Sequence, residues 1–251
     1  MDISYLFYLS SGLFLGWSLG ANDASNIFGT AVGSKMVRFT TIALISSFFV
    51  ILGAVYGGAG TSKTLGTLGA VNALAGAFMV ALSAALSVYS MARTGLSVSS
   101  SQAVVGAIIG WNLYAGKPTD LETLARICST WTICPLLSGI VAVILYFMFK
   151  RLLKYSHIHL LMQDQITRIG LVVTAAISAY ALGANNIANA VGMFVESCPF
   201  KPLKIGSLAT FTPEQVLFFL GAVAVGVGIL TYSKKIIMTV GNNLMKMTPI
   251  M

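Results

Sequence analysis

The chain has 251 residues, 57% of them hydrophobic and only 9% charged. A soluble domain of this size would carry about 25% charged residues, so the composition excludes a water-facing globule and points to lipid as the solvent. The net charge of +8 does not indicate nucleic acid, because the fifteen Lys and Arg lie in ones and twos between apolar runs and not on one face.

Seven apolar segments follow in order: 4–34, 39–60, 67–92, 95–115, 121–149, 167–195 and 211–232. Each is long enough to cross or enter a hydrocarbon layer of about 30 Å. Their long, unbroken hydrophobicity excludes the alternating pattern of a membrane barrel. The first runs straight into a polar motif, which predicts an uncleaved span and not a signal peptide. Polar residues interrupt the first and sixth segments, and the fourth opens on Gly95 and a run of serines, so it reads as a plain span or a re-entrant hairpin.

With the N-terminus outside and each segment crossing once, inside loops hold Lys35, Arg38, Arg93, Lys150, Arg151, Lys154, Arg168, Lys234, Lys235 and Lys246. Outside loops hold Lys63, Lys117, Arg126, Lys201 and Lys204, which is the asymmetry expected of cytoplasmic and external loops. The expected organisation is a first repeat over 1–149, a basic cytoplasmic connection over 150–166, and an incomplete second repeat over 167–251. His157 and His159 in the connection read as loop residues, and Cys128, Cys134 and Cys198 lack metal-ligand spacing. No metal and no cofactor are expected.

Gly20-Ala21-Asn22-Asp23-Ala24-Ser25-Asn26 stands late in the first segment. Gly183-Ala184-Asn185-Asn186-Ile187-Ala188-Asn189 stands in the same place in the sixth. An odd number of crossings between them inverts the second copy, the arrangement of many secondary transporters. Small residues alone would also suit helix packing, but two copies with Asn at the third and seventh positions favour a site. Asp23 in hydrocarbon costs about 2.5–3.5 kcal/mol if central, and a bound cation or proton would offset that. Gly95-Leu96-Ser97-Val98-Ser99-Ser100-Ser101-Gln102 predicts a helix N-terminus aimed at mid-membrane, able to hold an oxyanion on free N–H groups.

These three motifs resemble the signatures of the inorganic phosphate transporter (PiT) family. The resemblance extends from about residue 5 to 245. It implies an all-α membrane protein, an inverted-repeat transporter bundle with broken helices and a re-entrant hairpin. It also implies a multi-pass protein of the cell membrane that carries phosphate by symport with sodium or protons, with sulfate as the substrate of some relatives. By position in the motifs, substrate binding falls to Asn22, Asn26, Ser99, Ser100, Ser101, Gln102, Asn185 and Asn189. Cation coupling falls to Asp23 and to Asn186, which stands where the family has Asp; Ser97 stands where it often has Pro.

An anion channel would need a continuous polar pore instead of isolated clusters. An intramembrane hydrolase would need a base at membrane depth, and both histidines lie in the connection, so no enzyme is expected. A second serine hairpin, matching 79–149, is not found. The expectation is therefore a truncated chain, in the extreme a non-transporting one, or one completed by a second polypeptide or by another copy in a homodimer.

Overall fold

A computed structural model describes residues 3–60, 74–155, 159–205 and 209–239. The start of the predicted 67–92 segment, His157, Lys63 and Lys246 lie outside the described residues. Eight helices are described: α1 (Ile3–Gly33), α2 (Phe39–Gly57), α3 (Leu74–Arg93), α4 (Ser100–Tyr114), α5 (Leu121–Tyr155), α6 (Leu160–Val191), α7 (Pro213–Thr231) and α8 (Ser233–Thr239). Among the described residues, five stretches are long and apolar enough to cross a membrane: Phe39–Gly57, Leu74–Arg93, Leu121–Leu153, Leu161–Phe194 and Pro213–Thr231. The protein is an all-α, multi-pass membrane bundle.

Local sequence explains the boundaries. Thr212, Pro213 and Gln215 start α7 with a full capping box, the Thr212 side chain accepting from the Gln215 N–H and the Gln215 side chain from the Thr212 N–H. Ser99 starts α4 by accepting from the Gln102 N–H at 3.4 Å. At 15 residues α4 is about 22 Å long, short of a full span. The connection at 150–166 is more helical than its polarity suggests: α5 runs on to Tyr155 and α6 resumes at Leu160. Leu, Lys, Arg, Met and Gln there are all good helix formers, with no Gly or Pro to stop them. Two short strands, β1 (Leu203–Ile205) and β2 (Ala209–Phe211), pair antiparallel before α7, Lys204 opposite Thr210.

The two motif helices break at equivalent points. Phe28 leaves the helical region (φ −136°, ψ 16°), and so does Val191 (φ −128°, ψ 0°), each one residue before a glycine. The halves then interlock. α1 packs on α7 and α6 on α2, all through glycine. A Cβ on Gly20 would lie 1.9 Å from the Val225 carbonyl oxygen, and one on Gly183 would lie 2.1 Å from that of Val50. In the same way Gly228 faces the Trp17 carbonyl and Gly53 the Tyr180 carbonyl, each at 2.0 Å. Gly20 and Gly183, like Trp17 and Tyr180, are separated by the same 163 residues as Asp23 and Asn186. Val50 and Gly53 map onto Val225 and Gly228 with one common offset. The sequence repeat is thus a structural two-fold, held by backbone-to-backbone crossings that only glycine permits.

Around that seam, Leu15, Leu19, Ile187, Val191, Phe194, Leu217 and Phe218 fill one buried cluster, and Phe28, Ile42, Val50, Val225 and Ile229 fill a second. From Thr132 to Leu152, α5 is exposed on all sides with Leu, Ile, Val and Phe outward. An all-round apolar helix is unsuited to water and suited to lipid.

Candidate functional site

Asp23 sits where three elements meet. It lies on α1 just before the Phe28 break, is buried, and faces both the start of α4 and the second motif on α6. Its Oδ1 accepts from Asn22 Nδ2 at 2.6 Å. Its Oδ2 accepts from Asn186 Nδ2 at 2.8 Å and from Ser100 Oγ at 3.2 Å. Among the described residues the ion pairs are Arg126–Glu122 and Arg168–Asp164, so this carboxylate is met by neutral donors and not by a basic side chain. A buried carboxylate with this shell is satisfied in hydrogen bonds while its charge stays available for an ion.

Asn22 places the start of α4. Its Nδ2 donates to the Val98 carbonyl at 2.7 Å and its Oδ1 accepts from the Val98 N–H at 2.9 Å. Bonding both backbone groups of one residue fixes which way the amide points, and so fixes the N–H that reaches Asp23. Ser97 Oγ adds a bond to the Asn22 carbonyl at 3.4 Å. The extended residues before α4 are thereby pinned to the first motif, and Ser100 and Ser101 present the helix N-terminus beside Asp23.

From the second motif, Asn189 donates to Ser101 Oγ at 3.3 Å and to Asn186 Oδ1 at 3.4 Å. Of the residues singled out in the sequence, Asn22, Asp23, Ser100, Ser101, Asn186 and Asn189 therefore form one network. Asn26, Ser99, Gln102 and Asn185 are exposed; Ser99 serves as the helix cap, and the other three make no side-chain hydrogen bond among the described residues. The sequence reading missed Val98, whose role is carried by its backbone and so leaves no side-chain signal.

A sequence profile of the phosphate transporter family matches residues 19–168 and 154–251. The chain belongs to this family. A Methanocaldococcus jannaschii protein named as a phosphate permease is 24% identical over 94% of this chain and 69% of its own length. The sulfate permease CysP of Bacillus subtilis is 33% identical over 73% of this chain and 52% of its own length. Sodium-dependent phosphate transporter 1 of Mus musculus is 32% identical over 52% of this chain and 21% of its own length. The chain thus spans about half or less of two of these three relatives. A solved structure described as the sodium-dependent phosphate transporter superposes with a TM-score of 0.74, covering 99% of this chain and 80% of that one at 20% identity. The chain shares the fold of that structure.

Proposed function

We propose that this chain carries inorganic phosphate across the membrane by symport with a cation, sodium or a proton. The observation that supports this best is Asp23, a buried carboxylate held by donors from both halves beside a helix N-terminus. Ser99, Ser100, Ser101, Gln102, Asn26, Asn185 and Asn189 would surround the anion, and Asp23 with Asn186 would couple the cation. Asn22 would act by holding α4 in place. Alternating access would come from one half rocking against the other, with the Asn186–Asp23 bond made and broken at the seam.

The energetics require coupling. Bringing a divalent anion into an inside-negative cell costs about 2.3 kcal/mol per charge per 100 mV. Two cations cancel that cost, and a third turns the potential into a driving force.

Phosphate is preferred because at neutral pH it still carries a proton that it can donate to Asp23, whereas sulfate cannot. Sulfate is the second reading, favoured by the similarity to the Bacillus subtilis permease. We also infer that an extended segment docks on Asn185 as Ser97–Ser99 docks on Asn22, supplied by further polypeptide or by a second copy. This rests on the exposed Asn185 carboxamide, which among the described residues lacks the backbone partner that its counterpart has. Uptake of labelled phosphate and sulfate into proteoliposomes, under separate sodium and proton gradients, tests the function. Flux that never exceeds the equilibrium distribution would favour a channel instead.

A further inference from the structure

A second cluster lies away from the Asp23 network, at the end of the bundle where α3 stops and α8 begins. Arg93 closes the last turn of α3, and its guanidinium lies over the Tyr89 ring, 6.0 Å from the centroid. Lys235 on α8 lies over Tyr232 at 5.9 Å and donates through Nζ to the Arg93 carbonyl at 3.0 Å. The two tyrosine rings are 6.4 Å apart, and Trp17 leans on both, at 5.8 and 5.6 Å, with Phe14 stacked beyond it. The result is a closed set: two cations, each over its own tyrosine ring, on an aromatic shelf built from α1, α3 and the α7–α8 junction.

Both cations are exposed and neither is in an ion pair among the described residues. Neither tyrosine hydroxyl has a hydrogen-bond partner there. Ordinary snorkelling would let two basic side chains spread apart into water. Here Lys235 is instead drawn onto the Arg93 carbonyl, and neither cation meets an acid among the described residues. The same end carries Lys35 and Arg38 in the α1–α2 loop, and Lys234 over Phe39. Aromatic rings with basic groups at a bundle end mark the headgroup level of a bilayer, and a basic pocket between spanning helices there suits an anionic headgroup.

We propose that Arg93 and Lys235 bind the phosphodiester of an anionic phospholipid, with Tyr89 and Tyr232 as hydroxyl donors and the Trp17–Phe14 face as the shelf for its acyl chain. α3 belongs to the first half and α8 to the second, so one bound lipid ties the two halves together at this end. The site is separate from the anion network and does not depend on what the protein transports.

The test is lipid binding to the purified full chain in detergent, read by native mass spectrometry and by the thermal unfolding midpoint. Phosphatidylglycerol is expected to bind and raise the midpoint, while phosphatidylcholine does neither. The Arg93→Ala/Lys235→Ala variant should bind phosphatidylglycerol about thirtyfold more weakly, from the usual contribution of two basic groups at an anionic surface. Lys235→Gln alone, which keeps the fold if the double variant does not, should lose about fivefold. Arg93→Lys/Lys235→Arg should retain most of the affinity. Equal binding of the two lipids, or undiminished phosphatidylglycerol affinity in Lys235→Gln, overturns the proposal. So does inorganic phosphate binding with the same dependence on Arg93 and Lys235, which would make this a free-anion site.

Discussion

Replacing Asp23 by Asn separates the proposed coupling role of this carboxylate from its structural one. The carboxylate accepts three hydrogen bonds, one on Oδ1 and two on Oδ2. An amide keeps one acceptor oxygen and turns an NH2 toward the other side. Asn22 cannot rotate to accommodate it, because both its amide atoms are held by Val98. One donor is therefore left facing a donor, at a cost of about 1–3 kcal/mol. Removing a carboxylate from hydrocarbon returns about 2.5–3.5 kcal/mol, so the two terms nearly cancel and the variant should fold with a similar unfolding midpoint. Transport should respond very differently. One cation moved through 100 mV is worth about 2.3 kcal/mol, about fiftyfold in an accumulation ratio. A tenfold cation gradient contributes another factor of about ten. Losing one coupled cation should therefore lower steady-state phosphate accumulation about 500-fold under those conditions. The assay is labelled phosphate in proteoliposomes with an imposed potential and cation gradient. A folded Asp23→Asn variant that accumulates phosphate to the native level would refute the coupling role.

Asn186→Asp places a second carboxylate 2.8 Å from the first, where like charges cannot both persist unpaired; the expected outcome is an extra coupled cation, read as a steeper voltage dependence of uptake. Asn22→Ala removes both bonds to Val98, and it should cost about 1–3 kcal/mol and raise amide exchange at the start of α4, followed by mass spectrometry. Gly183→Ala forces a methyl to within 2.1 Å of the Val50 carbonyl and should destabilise by about 1–3 kcal/mol in thermal unfolding. Gly106→Ala, whose added methyl meets no other element within 4 Å among the described residues, should be neutral or stabilising by about 1 kcal/mol. Excess sulfate should compete poorly with labelled phosphate, and equal competition would reverse the substrate preference.

The spans were legible because an apolar run of some twenty residues has few fates other than crossing a bilayer. Polar residues marked the first and sixth segments as interrupted, but the break points themselves, at Phe28 and Val191 before Gly29 and Gly192, came from the structure. Other features were hidden for definite reasons. The glycine crossings at Gly20, Gly53, Gly183 and Gly228 depend on partner backbones far away in sequence, which no local pattern records. The Asn22–Val98 clamp uses main-chain atoms common to every residue. The helical continuation through 150–155 and 160–166 was concealed because charge was read as loop, whereas Lys, Arg and Gln are competent helix formers.

The two-fold in the scaffold makes the departures from it informative. Backbone crossings tolerate little change, so α1 with α7 and α6 with α2 keep matching geometry to within a few tenths of an ångström. Side chains at the seam are free of that constraint, and there the halves differ. Asp23 faces Asn186, so the pair carries one negative charge instead of two. Asn22 grips a backbone while Asn185 is exposed. A site symmetric in both respects would present equal chemistry to either side of the membrane. With one carboxylate and one pinned helix start, the first half holds the charge and two of its three donors, and the second half supplies the Asn186 amide. Rocking one half against the other, as proposed, would then move the Asn186 amide relative to Asp23. The bond across that seam is the contact through which binding of a cation at the carboxylate would be felt by both halves.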